Sequence, residues 1–160
     1  MKIIENFIED KELFNSIKEI LFGTDIPWYY CPTTGTSTDV SGFFFMHHLY
    51  YDNEFRSPYA NSILLPILYR LSLKKLIRAR INCYPKTSKI IYNEMHTDFD
   101  NGHKVALFSI NTNDGFTFFE NKKKIESVEN RMLLFNGNLK HCSVAQRDTN
   151  LRINININYT

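Results

Sequence analysis

Cysteine is scarce in this sequence, and the three present (Cys31, Cys83 and Cys142) form no CxxC pair. An odd number without that spacing argues against a disulfide framework and against a zinc ribbon, so all three are expected to be buried thiols. Charge of one sign is lacking too. A formal net charge of +2 over 160 residues leaves no electrostatic footprint for nucleic acid, and the run Lys122–Lys124 is expected in a solvated hairpin turn. No apolar run is long enough to cross a membrane. The opening stretch MKIIENFIEDKE mixes acids and bases and lacks the apolar core of a secretion signal, which leads to the expectation of a cytoplasmic protein. There is no HExxH motif and no internal repeat, and nothing in the composition points to a particular oligomeric state. What remains is the apolar and charged content of an ordinary globular protein, with length enough for a single domain over residues 1–160 and a sizeable core.

The periodicity of apolar residues orders the chain. MKIIENFI reads as a short edge strand. Asp10 can cap a helix in which Leu13, Phe14, Ile17, Ile20 and Leu21 recur at helical spacing, with Gly23 ending it. Val40 to Tyr51 predicts a strand. Ser57 to Lys75 predicts a second helix, with Pro66 either kinking it or opening its second half. Strands follow at Leu76–Tyr84, Val105–Ile110, Phe116–Glu120, Ile125–Val128, Met132–Phe135, His141–Ala145 and Leu151–Tyr159. Helices first and many short strands later predict an α+β, mainly β architecture: an antiparallel two-sheet sandwich with helices packed on one outer face.

Three side chains near the end of this pattern share a chemistry. A strand reading of Ile90–Phe99 puts Ile90, Tyr92, Glu94, His96 and Asp98 on one face, so His96 and Asp98 can reach one ion. His141, on the short strand LKHCSV, supplies a third donor. Two histidines and one carboxylate with positions left open form the facial triad of non-haem Fe(II) oxygenases. The same donors plus a water are also a catalytic zinc pattern. In LRINININY the alternation is strict, with Arg152, Asn154, Asn156 and Asn158 on one face and Ile153, Ile155, Ile157 and Tyr159 on the other. An apolar face of this kind packs, here on the N-terminal helix. The polar face must line a wet cavity, because each polar group left unpaired in a core costs about 1–3 kcal/mol. Arg152, leading that face, can grip a carboxylate through two parallel hydrogen bonds.

With these elements in place, the sequence resembles the Fe(II)/2-oxoglutarate-dependent dioxygenases, in their prolyl 4-hydroxylase-like branch. The matching pieces run in order: NCYP (Asn82–Pro85), HTD (His96–Asp98), NDGFTFF (Asn113–Phe119), FNGNLKH (Phe135–His141) and RININ (Arg152–Asn156). The resemblance implies a double-stranded β-helix core, jelly-roll and cupin-like. It also implies Fe(II) on His96, Asp98 and His141, 2-oxoglutarate as co-substrate with its far carboxylate on Arg152, O2 as oxidant, and ascorbate as a candidate reductant. Tyr84 is implied as a co-substrate contact, with Thr117, Asn82 and Asn154 as further candidates. The sequence departs from the pattern at Asp114-Gly115-Phe116-Thr117, where many members carry two glycines. It departs again at Phe108 and Ser109, where some carry a second tyrosine.

The implied reaction is hydroxylation of a C–H bond with release of succinate and CO2. The resemblance favours a prolyl residue of a peptide or protein as substrate, clasped by the aromatic segment Trp28–Tyr51; a small molecule or free amino acid is the alternative. Arg78, Arg80, Asn82 and Tyr84 share one face of their strand, so the arginines can meet an acidic substrate group, Arg80 above all, and Tyr29 is a candidate for a substrate groove or lid. His47 and His48 are read as structural, and His103, beside Gly102, as a turn residue. A zinc hydrolase and a non-catalytic jelly-roll binding module stay open as readings from other classes.

Overall fold

A computed structural model describes residues 1–34, 42–99 and 102–160. Part of the Trp28–Tyr51 segment and the start of the Val40–Tyr51 strand lie outside the described residues. Eleven strands and two short helices follow in the order β1 (Lys2–Ile4), α1 (Lys11–Phe22), β2 (Tyr29–Cys31), β3 (Phe44–Tyr51), β4 (Glu54–Phe55), a π-helical turn (Ala60–Leu64), α2 (Leu65–Leu68), β5 (Leu76–Pro85), β6 (Lys104–Ser109), β7 (Phe116–Phe119), β8 (Lys124–Glu126), β9 (Arg131–Asn136), β10 (His141–Val144) and β11 (Leu151–Tyr159). The larger sheet runs β1-β9-β6-β11-β5-β3-β2, with β4 on β3, and the smaller runs β10-β7-β8. All strand pairs are antiparallel. This mainly β, α+β arrangement is the sandwich expected, with a double-stranded β-helix-like core.

Local chemistry explains the helix ends. The Asp10 carboxylate accepts from the Glu12 and Leu13 N–H groups at 3.0 and 3.1 Å, which starts α1. Gly23 follows its last residue, at a point where any Cβ would lie 2.9 Å from the Glu19 carbonyl. One face of α1 carries Phe14, Ile17 and Leu21 into the main core, where they join Ile63, Leu64 and Ile67 and the outward faces of β6, β5 and β11, including Phe108, Ile81, Ile155 and Ile157. The opposite face of the larger sheet meets the smaller one through Val105, Phe119, Ile125, Leu133 and Phe135. The β11 alternation therefore does what the sequence predicted: its isoleucines hold the helices, and its polar face turns between the sheets.

Several expectations are corrected. The helix expected over Ser57–Lys75 is a π-helical turn followed by the four residues of α2. Pro66 lies in the first turn of α2, and because it has no N–H to continue an upstream ladder, the backbone widens before it and starts again. Ile90–Phe99 is not a regular strand; it touches the smaller sheet through two bridges, Tyr92 to Val144 and His96 to His141. Cys83 and Cys142 are buried, but Cys31, on the edge strand β2, is only half-buried. His103 is buried rather than a turn residue, its ring lying where a Cβ on Gly137 would come within 2.1 Å. His47 is structural as expected, with its two ring nitrogens on the Pro27 carbonyl and the Ser57 hydroxyl. The lysine run sits at the β7–β8 turn, exposed. Among the described residues no helix is long and apolar enough to cross a membrane.

Phe108 is fully buried and its ring meets those of Phe7 and Phe14 at 5.7 and 6.1 Å, which ties the N-terminal segment to the sheet. Phe108→Ala is expected to lower unfolding stability by about 3–5 kcal/mol, the usual loss for a buried phenylalanine. Urea denaturation followed by tryptophan fluorescence and circular dichroism checks this; an unchanged midpoint would mean that α1 is not anchored there.

Candidate functional site

The site is built on one register. β11 pairs with β5 so that Arg152 lies opposite Tyr84, Asn154 opposite Asn82, Asn156 opposite Arg80 and Asn158 opposite Arg78. Because side chains alternate, all eight face the smaller sheet. Six of them are buried, Arg152 at 2 % exposure and Asn158 at 0 %, while Arg78 and Arg80 are half-buried. Some satisfy one another, as where the Asn82 amide donates to Asn154 Oδ1 at 2.9 Å. Others do not: Arg80 Nε, Asn82 Oδ1 and Asn156 Oδ1 are buried without a hydrogen-bond partner among the described residues. Three such atoms in one inter-sheet space mark a place that a polar ligand would complete.

The histidines approach from the other side. The backbones of His96 and His141 exchange both N–H···O bonds at 3.0 Å, which sets the rings side by side with centroids 5.0 Å apart. His96 Nδ1 lies 3.0 Å from the Glu94 carbonyl and His141 Nδ1 lies 3.0 Å from the Leu139 carbonyl. A carbonyl only accepts, so in each ring Nδ1 carries a proton, the tautomer that directs Nε2 toward a metal. Phe119 and Phe135 pack on the His141 ring. Burial lowers the His141 pKa, opposed by the attraction of Asp98.

Asp98 does not join them as a third donor. One of its oxygens accepts from Arg78 at 2.7 Å, and the other accepts from Asn156 and Asn158 at 3.1 and 2.9 Å. Arg78 also donates to Asn158 and lies over the Phe99 ring. Burial opposes ionisation of Asp98, but the Arg78 charge, His141 and the two asparagine hydrogen bonds outweigh it and hold the carboxyl well below the usual carboxylate range. Among the described residues no group of three His, Cys, Asp or Glu side chains is placed to hold a metal ion.

Arg152 sits at the inner end. Its Nε donates to the Ser127 hydroxyl at 2.8 Å and one terminal nitrogen donates to the Ser143 hydroxyl at 2.6 Å. Its guanidinium lies 5.4 Å from the Tyr84 ring centre. Among the described residues no carboxylate pairs with it. Gly115 makes the approach possible, since a Cβ there would come 3.0 Å from Arg152 Cδ.

Arg152, Tyr84, Thr117, Asn82, Asn154, His96 and His141 thus line one inner space of about 30 Å³. It shares Thr34, Arg80 and His96 with an outer cleft of about 230 Å³, which Asp98 and Arg78 also line. Tyr29 is not brought to either; it is 56 % exposed in a separate cleft beside His47 and Arg56. A larger hollow, about 680 Å³, lies elsewhere, beside Lys74, His103 and Asn136. It contains neither histidine of the pair. Sequence reasoning missed Ser127, Ser143 and Gly115 as supports of Arg152, and Arg78, Asn156 and Asn158 as the holders of Asp98. Ser143 was readable, two residues after His141 on one strand face; nothing local marks Ser127.

No family model matches the chain, and no curated protein matches it by sequence. Solved structures do. A prolyl hydroxylase from Trichoplax adhaerens, in complex with a peptide of the hypoxia inducible factor oxygen degradation domain, superposes with a TM-score of 0.62 at 16% identity, over 99% of this chain and 82% of that one. A 2OG-Fe(II) oxygenase family oxidoreductase from Burkholderia pseudomallei gives 0.67 at 12% identity, over 96% and 79%. A prolyl-4-hydroxylase from Pseudomonas putida gives 0.62 at 12% identity, over 99% and 91%. The fold is that of the 2OG-Fe(II) oxygenases. Identities this low speak for the fold alone.

The Asp98 network has a pH signature. A carboxyl whose pKa is lower folded than unfolded stabilises the fold above the unfolded value, near 3.9, and loses that contribution as pH falls below it. Asp98→Asn strands the Arg78 charge and is expected to cost about 3–5 kcal/mol at pH 7. The gap in melting temperature between wild type and variant should hold steady from pH 8 to 5 and narrow below about pH 4. Calorimetry across that range checks it; a gap unchanged down to pH 2 would mean that Asp98 is not held ionised.

Proposed function

We propose that this protein is an Fe(II)- and 2-oxoglutarate-dependent dioxygenase that hydroxylates a C–H bond. One observation carries the reading: within this fold, two imidazoles held through Nδ1 stand beside the same inner space as a buried guanidinium that has no carboxylate partner among the described residues. The donor chemistry fits Fe(II). His96 and His141 would hold the metal through Nε2, and Asp98 would complete the set by exchanging one of its hydrogen bonds for the ion. When bound, the iron with O2 and 2-oxoglutarate supplies oxidative decarboxylation to succinate and CO2, coupled to hydroxylation of the substrate.

The chain's own residues do the positioning. Arg152, held in place by Ser127 and Ser143, would pair with the far carboxylate of the co-substrate in a setting where burial strengthens a charged hydrogen bond. Tyr84, Asn82 and Asn154 from the larger sheet and Thr117 from the smaller present polar groups to the same space, and the asparagines offer acceptors and donors that a dicarboxylate's solvation shell would otherwise supply. At about 30 Å³ the inner space would have to widen to admit the co-substrate. A guanidinium kept for an anion in this position favours a dicarboxylate co-substrate over zinc hydrolysis, which would give it no task. A prolyl residue of a peptide is the substrate that the likeness to prolyl hydroxylases supports, with a small molecule as the second reading.

Anaerobic titration of Fe(II) and 2-oxoglutarate tests the proposal. Wild type is expected to develop the weak visible charge-transfer band of a metal-bound 2-oxo acid, and His96→Ala to lose it. No band in wild type would overturn the reading. Arg152→Gln should keep the fold and weaken 2-oxoglutarate binding by about tenfold or more, the scale of one lost charge-assisted hydrogen bond of about 1.5–3 kcal/mol. Calorimetry measures it, and an unchanged affinity would remove Arg152 from the co-substrate site.

A further inference from the structure

β5 delivers two arginines to the same wall, and only one of them is matched. Arg78 is neutralised by Asp98 at 2.7 Å. Arg80, two residues on, has no carboxylate within ion-pairing distance among the described residues, and its Nε is buried without a hydrogen-bond partner. Its guanidinium rests over the Phe44 ring, 5.2 Å from the centroid, which holds the arm while leaving its in-plane donors available. It lines both the inner space and the outer cleft, and His96 is the metal-site candidate that shares both linings with it. A group held by Arg80 is therefore a neighbour of the histidine pair.

The positive field there is not balanced locally. His48 lies opposite Arg80 in the β3–β5 register, and its pKa is pushed down to about 4 by burial and then by Arg80, Arg78, His47 and Arg56. At neutral pH it adds no charge of its own. Asp98 is the carboxylate lining the outer cleft, and it is already engaged. Arg152 and Arg80 are anchored apart: they stand at positions four residues apart in the β5–β11 register, about 13 Å of strand rise, and Arg152 is held by Ser127 and Ser143. The outer cleft, at about 230 Å³, falls below the roughly 300–1,000 Å³ of sites for drug-sized ligands, so it suits one small group.

We infer that Arg80 is the specificity-determining residue of the substrate site and that the hydroxylated substrate carries a carboxylate, bound bidentately by Arg80 at the cleft beside His96. This rests on the oxygenase reading and adds the class of substrate to it. The carboxylate belongs either to a free acid, an amino acid among them, or to an acidic side chain next to the target residue in a peptide.

Matched acid and amide probes test it: L-proline against L-prolinamide, N-acetyl-L-proline against N-acetyl-L-prolinamide, and N-acetyl-Glu-Pro-amide against N-acetyl-Gln-Pro-amide. Binding is measured by calorimetry on protein loaded anaerobically with Fe(II) and 2-oxoglutarate. In wild type at least one acid should bind about tenfold or more tighter than its amide, as a charged bidentate contact gives, and the pair that does so tells a free acid from a peptide side chain. Arg80→Gln should bring that ratio near one, and Arg80→Lys should restore part of it. Affinity for 2-oxoglutarate should change less than about twofold in both, since a co-substrate held at Arg152 loses no hydrogen bond there. No acid preference in wild type, or a preference that survives Arg80→Gln, overturns the inference, as does a loss of 2-oxoglutarate affinity in Arg80→Gln, which would make Arg80 a co-substrate residue. Absence of 2-oxoglutarate binding in wild type is a separate result: it overturns the oxygenase reading and with it the claim that the carboxylate belongs to a hydroxylation substrate.

Discussion

Everything in the site hangs on burying the polar face of β11. A strand that places an arginine and three asparagines in the interior of a two-sheet sandwich would be costly at each unpaired atom, so the neighbouring elements are arranged around that face. β5 sets Tyr84, Asn82, Arg80 and Arg78 opposite it, one for one. The serines beyond β8 and on β10 reach the guanidinium of Arg152, and Asp98 closes the far end on Asn156 and Asn158. The other face of the same strand, all isoleucine until Tyr159, carries the helices. One nine-residue segment thus fixes the hydrophobic core and the polar site at the same time, and a register slip of one residue would exchange them.

The polar wall is not self-sufficient, and its defects have a direction. Among the described residues, the cation at the inner end has hydroxyl supports and no anion, two asparagine oxygens in the middle lack donors, and the cation at the cleft is unmatched, while Arg78 is closed off by Asp98. Natural interiors pair nearly all their buried polar atoms, and three of the exceptions among the described residues, on Arg80, Asn82 and Asn156, share one lining. A polar, anionic guest would complete that lining, which is the observation the proposed function rests on. The histidine pair gives the same lining a chemistry, because both rings are tied by Nδ1 and open at Nε2.

Asp98 shows how far a donor set differs from a donor geometry. The donor set expected from the sequence is present, yet the oxygens of the carboxylate are taken by one arginine and two asparagines. An ionised, hydrogen-bonded carboxylate is stable in that position because each of its oxygens is satisfied. In the proposed function, Asp98 would exchange one strong partner for the metal, so the affinity of the proposed site would be set by the Arg78 network as well as by the ligands themselves.

Alternation along a strand is a local property, and whatever depends on it was legible in the chain: β5, β6, β7, β9, β10 and β11 near their observed limits, the two faces of β11, the cap at Asp10, and the ordered His96, Asp98, His141 and Arg152. Proline and short-range sterics decided against the long second helix, a result the apolar spacing of Ser57–Lys75 could not foresee because a π-turn and an α-helix bury the same residues. The irregular backbone of Ile90–Phe99 kept His96 on the smaller sheet through a single bridge, while Asp98, two residues later, was left to partners on β5 and β11. Those partners lie about 20 and 60 residues away in the chain. Sequence alone determined which side chains share a face, since that follows from the backbone's period of two. Only the tertiary structure decided which faces meet, which charges are matched and which are left for a ligand, because pairing between distant strands is set by the register and burial of the whole sandwich.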